Sequence, residues 1–148
     1  MSVKFSKQIK RVVVNTKNAP KAIGPYNQAI LIDRTLYISG QLGLDPDTME
    51  IVEGGVEEET IQALKNLHMI LRRAHSDFSD VIKTTILLKD MRDFKLVNDI
   101  YSQCFVENLP ARMAFEVDFY FIFIRRKLDT NAMKLLINHP GNCRFKVF

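Results

Sequence analysis

Several polar groups at the edges of predicted elements could do chemistry: Tyr26 in AIGPYNQA, Ser39 and Gly40 in YISGQ, Asn98 in FKLVNDIY and Arg112 in LPAR. A guanidinium is a planar fork of donors that suits a carboxylate. Hydroxyls, a carboxamide and a glycine backbone can orient a small polar ligand. None of these groups is a strong nucleophile. Taken singly, each has a structural explanation: Tyr26 after Gly24-Pro25 as a turn residue, Gly40 as a bulge, Asn98 as a helix-surface amide, Arg112 as a surface cation.

Other chemistries find little support in the residue types. His68, His75 and His139 share no ligand spacing, and His68 and His75 stand seven apart in one predicted helix, which favours surface or capping roles. Cys104 and Cys143 form neither a close pair nor a metal motif and read as reduced thiols. There is no P-loop, and Gly54-Gly55 is too short to cradle a phosphate. The expectation is no metal and no nucleotide cofactor.

The elements that must position these groups follow from hydrophobic period. RVVVN at residue 11 onward, and AILIDRTLYISG folding back at Asp33-Arg34, predict three strands, the last two a hairpin. DPDTMEIVEGG is loop-like, with Pro46 and Gly54-Gly55 as breakers. A helix should start at Val56: Glu57, Glu58 and Glu59 sit in its first turn, Arg72, Arg73 and His75 at its end, and Leu64, Leu67, Leu71 and Ala74 form one stripe. VIKTTILLKD is a β-branched strand, DFKLVNDIYSQCF a second helix with Phe94, Val97, Tyr101 and Cys104 on one face, and ARMAFEV another strand. The order β-β-β-α-β-α-β predicts an α+β domain whose helices cover one face of a mixed sheet.

The 148 residues suffice for one domain with a real core. The longest apolar run, Phe119 to Ile124, is six residues, against the roughly 20 of a spanning helix, so no membrane segment is expected. Residues 1 to 32 carry six Lys or Arg and no acid but only one arginine, a weak presequence signal, which puts the cytoplasm ahead of mitochondrial import. The net charge of +4 is unevenly spread. Residues 1 to 118 hold 15 basic and 16 acidic side chains, net −1, and 119 to 148 hold six basic and one acidic, net +5. The body is therefore a weak candidate for binding nucleic acid, and only the last stretch could add phosphate affinity.

Four stretches, KAIGPYNQAILIDRTLYISGQLGLDP, GGVEEETIQALKNL, VIKTTILLKDMRDFKLVNDIY and LPARMAFEV, resemble the RidA/YjgF family in its animal form over residues 11 to about 117. These are the reactive intermediate deaminases, also known as liver perchloric-acid-soluble proteins or translation inhibitors. The resemblance implies a chorismate-mutase-like fold and a homotrimer with sites at subunit interfaces. It also implies hydrolysis of enamine and imine intermediates, 2-iminobutanoate and 2-iminopropanoate, to 2-oxo acids and ammonia. Arg112 would clamp the substrate carboxylate. Tyr26 would line the cleft, Ser39 and Gly40 would contact the ligand near the imine, and Asn98 would support the pocket. Ala114 stands where bacterial members often carry a cysteine, so no thiol chemistry is implied there. Two alternatives stand beside this reading: an RNA-directed endoribonuclease that inhibits translation, and a non-catalytic trimer that only binds carboxylates.

The resemblance stops near Val117. In the family a last strand, internal to the sheet between those matching LYISG and VIKTTILL, carries a glutamate that orients the hydrolytic water. Nothing after Val117 matches it, Glu116 belongs to a different strand, and Asp118 falls where a loop should begin. The expectation is a RidA-like domain over residues 1–118 and a basic tail over 119–148 holding five of the ten phenylalanines, with the last internal strand missing or replaced, CRFKVF being one candidate substitute. The abrupt change of composition suggests a tail from a retained intron or an alternative exon.

Overall fold

The computed structural model describes residues 9 to 117, so the tail and its candidate strand lie outside the described residues. Strands β1 (Arg11–Val14), β2 (Ala29–Ile32) and β3 (Thr35–Ile38) come first, then helix α1 (Val56–Arg73), strand β4 (Lys83–Leu88), helix α2 (Phe94–Cys104) and strand β5 (Ala111–Glu116). The predicted order of elements is therefore met. A 3-10 turn over Met91–Asp93 leads into α2. The β2–β3 hairpin closes through Asp33-Arg34, with Ile32 paired to Thr35. Asp33 takes φ 52°, a left-handed conformation that Asp tolerates better than most side chains, and a two-residue hairpin needs it.

The helices seal one side of the strands. Leu64, Leu67, Ile70 and Leu71 of α1 and Val97 and Tyr101 of α2 are buried in one cluster with Val14, Ala29, Leu36, Ile38, Ile86 and Leu88 of the strands. In a strand successive side chains point to opposite faces. With Leu36, Ile38, Ile86 and Leu88 facing the helices, Thr35, Tyr37 and Leu87 face away, and the away side leaves Val13, Tyr37, Met113 and Phe115 exposed. The loop before α1 is pinned to it by Asn66, fully buried, whose Nδ2 donates to the carbonyls of Leu42 at 3.0 Å and Leu44 at 2.8 Å.

The expected single mixed sheet is parted among the described residues. β1–β2–β3 form an antiparallel sheet, and β4 and β5 a parallel pair. The hydrogen bond from Ser39 N–H to Gln28 O marks 28 and 39 as a bonded pair, so by alternation the backbone groups of Leu36 and Ile38 point away from β2. On the other side, Ala111 N–H to Ile82 O and Val117 N–H to Leu88 O set the parallel pattern. That pattern turns the backbone groups of Lys83, Thr85 and Leu87 away from β5. No described strand meets either edge.

Candidate active site

Arg112 sits on β5 directly opposite Thr84 in the β4–β5 register. Ala114, two residues on, packs partly buried against the core, which puts Arg112 on the helix side of the strand. Its guanidinium lies over the ring of Tyr101, 4.8 Å from guanidinium carbon to ring centre, and 5.7 Å from that of Phe94. Both rings come from α2, where Phe94, Asn98 and Tyr101 recur at four and three and so share a face. Asn98 is half-buried there. Arg112 is exposed and no described carboxylate pairs with it, so its N–H donors remain for an anion while the Tyr101 and Phe94 rings lie beside it. The one carboxylate on the same strand, Glu116, is engaged elsewhere: its Oε2 accepts the Met91 N–H at 2.7 Å.

Tyr26, Ser39, Arg11 and Tyr37 gather on the opposite side. With Ile30 they line a cleft of about 480 Å³ beside the β1–β3 sheet. Tyr26 is held by local bonds: its N–H donates to Gly24 O at 2.8 Å, and its hydroxyl accepts the Ile23 N–H at 3.3 Å. A Cβ at Gly24 would stand 3.3 Å from the Tyr26 ring, which would have to shift by a few tenths of an ångström to admit it. Ser39 Oγ donates to Asn27 O at 2.6 Å, which commits its proton and leaves its lone pairs to accept from a ligand. Gly40 follows, exposed, its carbonyl receiving Gln41 Nε2 at 3.3 Å.

The arm carrying Tyr26 is fastened by Gln28. The residue is 4% exposed, and its carboxamide accepts Thr16 N–H at 2.7 Å and donates to the carbonyls of Thr16, Ala19 and Pro20 at 3.0, 3.0 and 2.8 Å. Loop residues 16 to 20 are thereby tied to the strand that follows Tyr26. Burying an amide costs free energy unless its groups are satisfied, and here every one of them is.

The predicted site residues therefore fall into two halves of one chain. Arg112 and Asn98 lie on the helix-covered side, Tyr26 and Ser39 on the uncovered side, and the cleft lined by the second pair does not include Arg112. Sequence reasoning missed Arg11 and Tyr37 in the cleft. The period-2 pattern that aligns Tyr37 with Ser39 could have found the tyrosine. It also placed Phe94 and Tyr101 on a core face without seeing that they seat Arg112, because that contact joins α2 to a strand later in the chain.

Residues 16–119 match the family described as endoribonuclease L-PSP. A human protein, 2-iminobutanoate/2-iminopropanoate deaminase, is 57% identical over 107 residues, which make up 72% of this chain and 78% of that one. Among solved structures, YyfA of Yersinia pestis, a protein of the conserved Rid family, superposes with a TM-score of 0.75 at 38% identity, covering 89% of this chain and 99% of its own. TdcF of E. coli, solved with bound serine, does so with a TM-score of 0.73 at 28% identity, covering 86% of this chain and 97% of its own.

Proposed function

We infer what the protein does from one premise: the chain belongs to the endoribonuclease L-PSP family, the Rid proteins. It is a deaminase of reactive imines, hydrolysing 2-iminobutanoate and 2-iminopropanoate to the 2-oxo acid and ammonia. The single observation that carries this reading to the residues is Arg112, a guanidinium seated on two aromatic rings with no described carboxylate to neutralise it. Such a group takes a 2-imino acid by its carboxylate in a bidentate pair. Water then adds to the imine carbon, forming a C–O bond as the C=N π pair moves to nitrogen. Proton transfer from oxygen to nitrogen lets the C–N bond break, releasing ammonia and leaving a carbonyl. An iminium carbon is electrophilic enough that fixing it beside one water supplies much of the rate.

The glutamate that the family resemblance assigns to orienting that water has no counterpart up to Val117, and Glu116 is bonded to Met91 N–H. Turnover should accordingly fall below that of relatives that keep the acid. Because the two halves face opposite ways, the complete site is one in which Arg112 and Asn98 of one subunit meet Tyr26, Ser39 and Gly40 of the next, in a homotrimer. The exposed apolar side chains Val13, Tyr37, Met113 and Phe115 on the uncovered side support such an assembly. The net charge of −1 over residues 1 to 118 disfavours the endoribonuclease reading.

The test is release of 2-oxobutanoate from 2-iminobutanoate generated in situ by the full chain, with Arg112→Ala as control. Catalysed release that the substitution cuts by roughly 150-fold in kcat/KM is expected. Release no faster than the uncatalysed reaction from a soluble oligomer would leave only carboxylate binding, and release unaffected by Arg112→Ala would remove this assignment of the site.

A further inference from the structure

The seat of Arg112 is more constructed than a surface cation requires, and we propose that Tyr101 is a positioning residue that aims Arg112 at the substrate carboxylate. The proposal rests on the carboxylate-binding role given to Arg112 above and concerns how that side chain is held. Tyr101 is 5% exposed, and its ring is fixed at both ends. Its hydroxyl is hydrogen-bonded to Thr84 Oγ1 at 2.9 Å, and Thr84, fully buried, is the residue paired with Arg112 across β4 and β5. The body of the ring stacks on Phe105 with centroids 4.1 Å apart and planes 17° apart, and Phe105 in turn meets Phe78 edge-on at 4.9 Å. The surface beneath the guanidinium is thus anchored to the strand beside Arg112 and to the aromatic core behind it.

This arrangement does two things for an anion-binding arginine. A guanidinium resting on a fixed ring gives up less freedom when it grips a ligand, so less of the binding energy goes into ordering it. The ring also occupies the flat face and leaves the N–H edge, the part that meets a carboxylate. Burial pushes the Tyr101 phenol up, so the ring stays neutral and the positive charge of Arg112 is left for the substrate. Packing alone would be met by phenylalanine at this position. The bond to Thr84 adds direction, and direction is what a clamp needs.

The experiment is a double-mutant cycle between Tyr101 and Arg112. It reads KM and kcat for 2-iminobutanoate and Kd for the product 2-oxobutanoate, which binds without reacting. In the otherwise unchanged chain Tyr101→Leu should raise KM and Kd by about 5-fold, the change that one cation–π contact of about 1 kcal/mol corresponds to, with kcat within about 2-fold. In the Arg112→Ala background the same substitution should change nothing. Tyr101→Phe and Thr84→Val, which keep the volume and fold if Tyr101→Leu does not, should each raise Kd by about 2-fold in the first background only. Equal effects in both backgrounds would overturn positioning while leaving the role of Arg112 intact. Binding and turnover unchanged by Arg112→Ala itself would overturn both.

Discussion

The proposed site uses both Arg112 and Tyr26 and would draw them from two copies of the chain, because the first lies on the helix-covered side of its strand and the second lines a cleft on the other. Complementation between two crippled variants tests this quantitatively. Arg112→Ala removes two charge-assisted hydrogen bonds to the carboxylate, about 3 kcal/mol together, which is a loss of roughly 150-fold in kcat/KM. Tyr26→Ala combined with Ser39→Ala empties the other half while leaving the β2–β3 hairpin and the Gln28 staple in place. Each variant alone has no complete site. When the two are co-expressed in equal amounts and assemble at random, each half is intact with probability one half. About one quarter of the sites are then complete, whatever the number of subunits in the ring. The assay is 2-oxobutanoate release per site, with light scattering and distinguishable affinity tags to verify mixed oligomers. Recovery of roughly a quarter of wild-type activity, against roughly 1% from the Arg112→Ala parent, is the expected outcome. Verified mixed oligomers no more active than the sum of the parents would refute the argument, as would a fully active monomer.

Other perturbations address what holds the halves in place. Gln28→Ala removes four hydrogen bonds that close residues 16 to 20 onto β2. It should cost about 2 to 4 kcal/mol by urea unfolding, and a smaller change than about 1 kcal/mol would mean that the loop is held by something else. Gly43→Ala would put a Cβ 2.5 Å from Glu59 Cα and 2.7 Å from its carbonyl oxygen, on the backbone of α1, which cannot yield. A loss of about 1 to 3 kcal/mol should appear as a lower urea midpoint, and an unchanged midpoint would show that the loop does not lie against α1. Asp90 caps the turn before α2, and the Arg92 side chain and N–H hold its carboxyl down to about 2 from an ordinary 3.8. A carboxyl depressed in the folded state stabilises above the unfolded value and loses that contribution as pH falls from about 4 towards 2. Asp90→Asn should therefore flatten the fall of stability across that window, measured by urea midpoints at several pH values. Equal slopes in the two proteins would count against the cap.

Period was enough to read the elements, because each strand and helix carries its apolar residues at its own spacing. Leu64, Leu67 and Leu71 announce a buried helix face, and the alternation around Leu36 and Ile38 announces a half-buried strand. The same alternation settles which side Ser39 faces, once it is known that Leu36 and Ile38 point to the helices. Less legible were contacts between elements distant in the chain. Tyr101 reads as one more core aromatic on α2, and only the packing of α2 across β4 and β5 turns its ring into the seat of Arg112. Arg11 lies before the resemblance acquires its specific motifs, so no pattern marked it as a lining residue. Gln28 was invisible for another reason: its four bonds run to a loop whose path no periodicity predicts.

The parting of the sheet among the described residues bears on the proposed activity more deeply than the acid alone. Ser39 and Tyr37 follow the β3 backbone and Arg112 follows β5, so the two halves are carried by two separately hydrogen-bonded pieces. What joins those pieces among the described residues is the packed core, in which Leu36 and Ile38 from one and Ile86 and Leu88 from the other share the leucines of α1. Dispersion contacts in a close-packed interior resist compression well, but they are less directional than a hydrogen-bonded ladder. A strand pairing with the outward backbone groups of Leu36 and Ile38 and with those of Lys83, Thr85 and Leu87 would fix the two pieces at a strand spacing of about 4.8 Å on each side. Without such pairing the backbone groups at Leu36 and Ile38, on residues at most 3% exposed, would each cost about 1 to 3 kcal/mol, and the spacing of the pieces would be left to side-chain packing. Errors of about 1 Å in placing a reacting group cost on the order of 100-fold in rate. In the ring proposed above each subunit would lend Arg112 to one neighbour and receive it from the other, so a looser relation between β3 and β5 would be felt at two sites per chain. Whatever closes the gap between β3 and β4 therefore sets the rate through geometry as well as through the residues it brings.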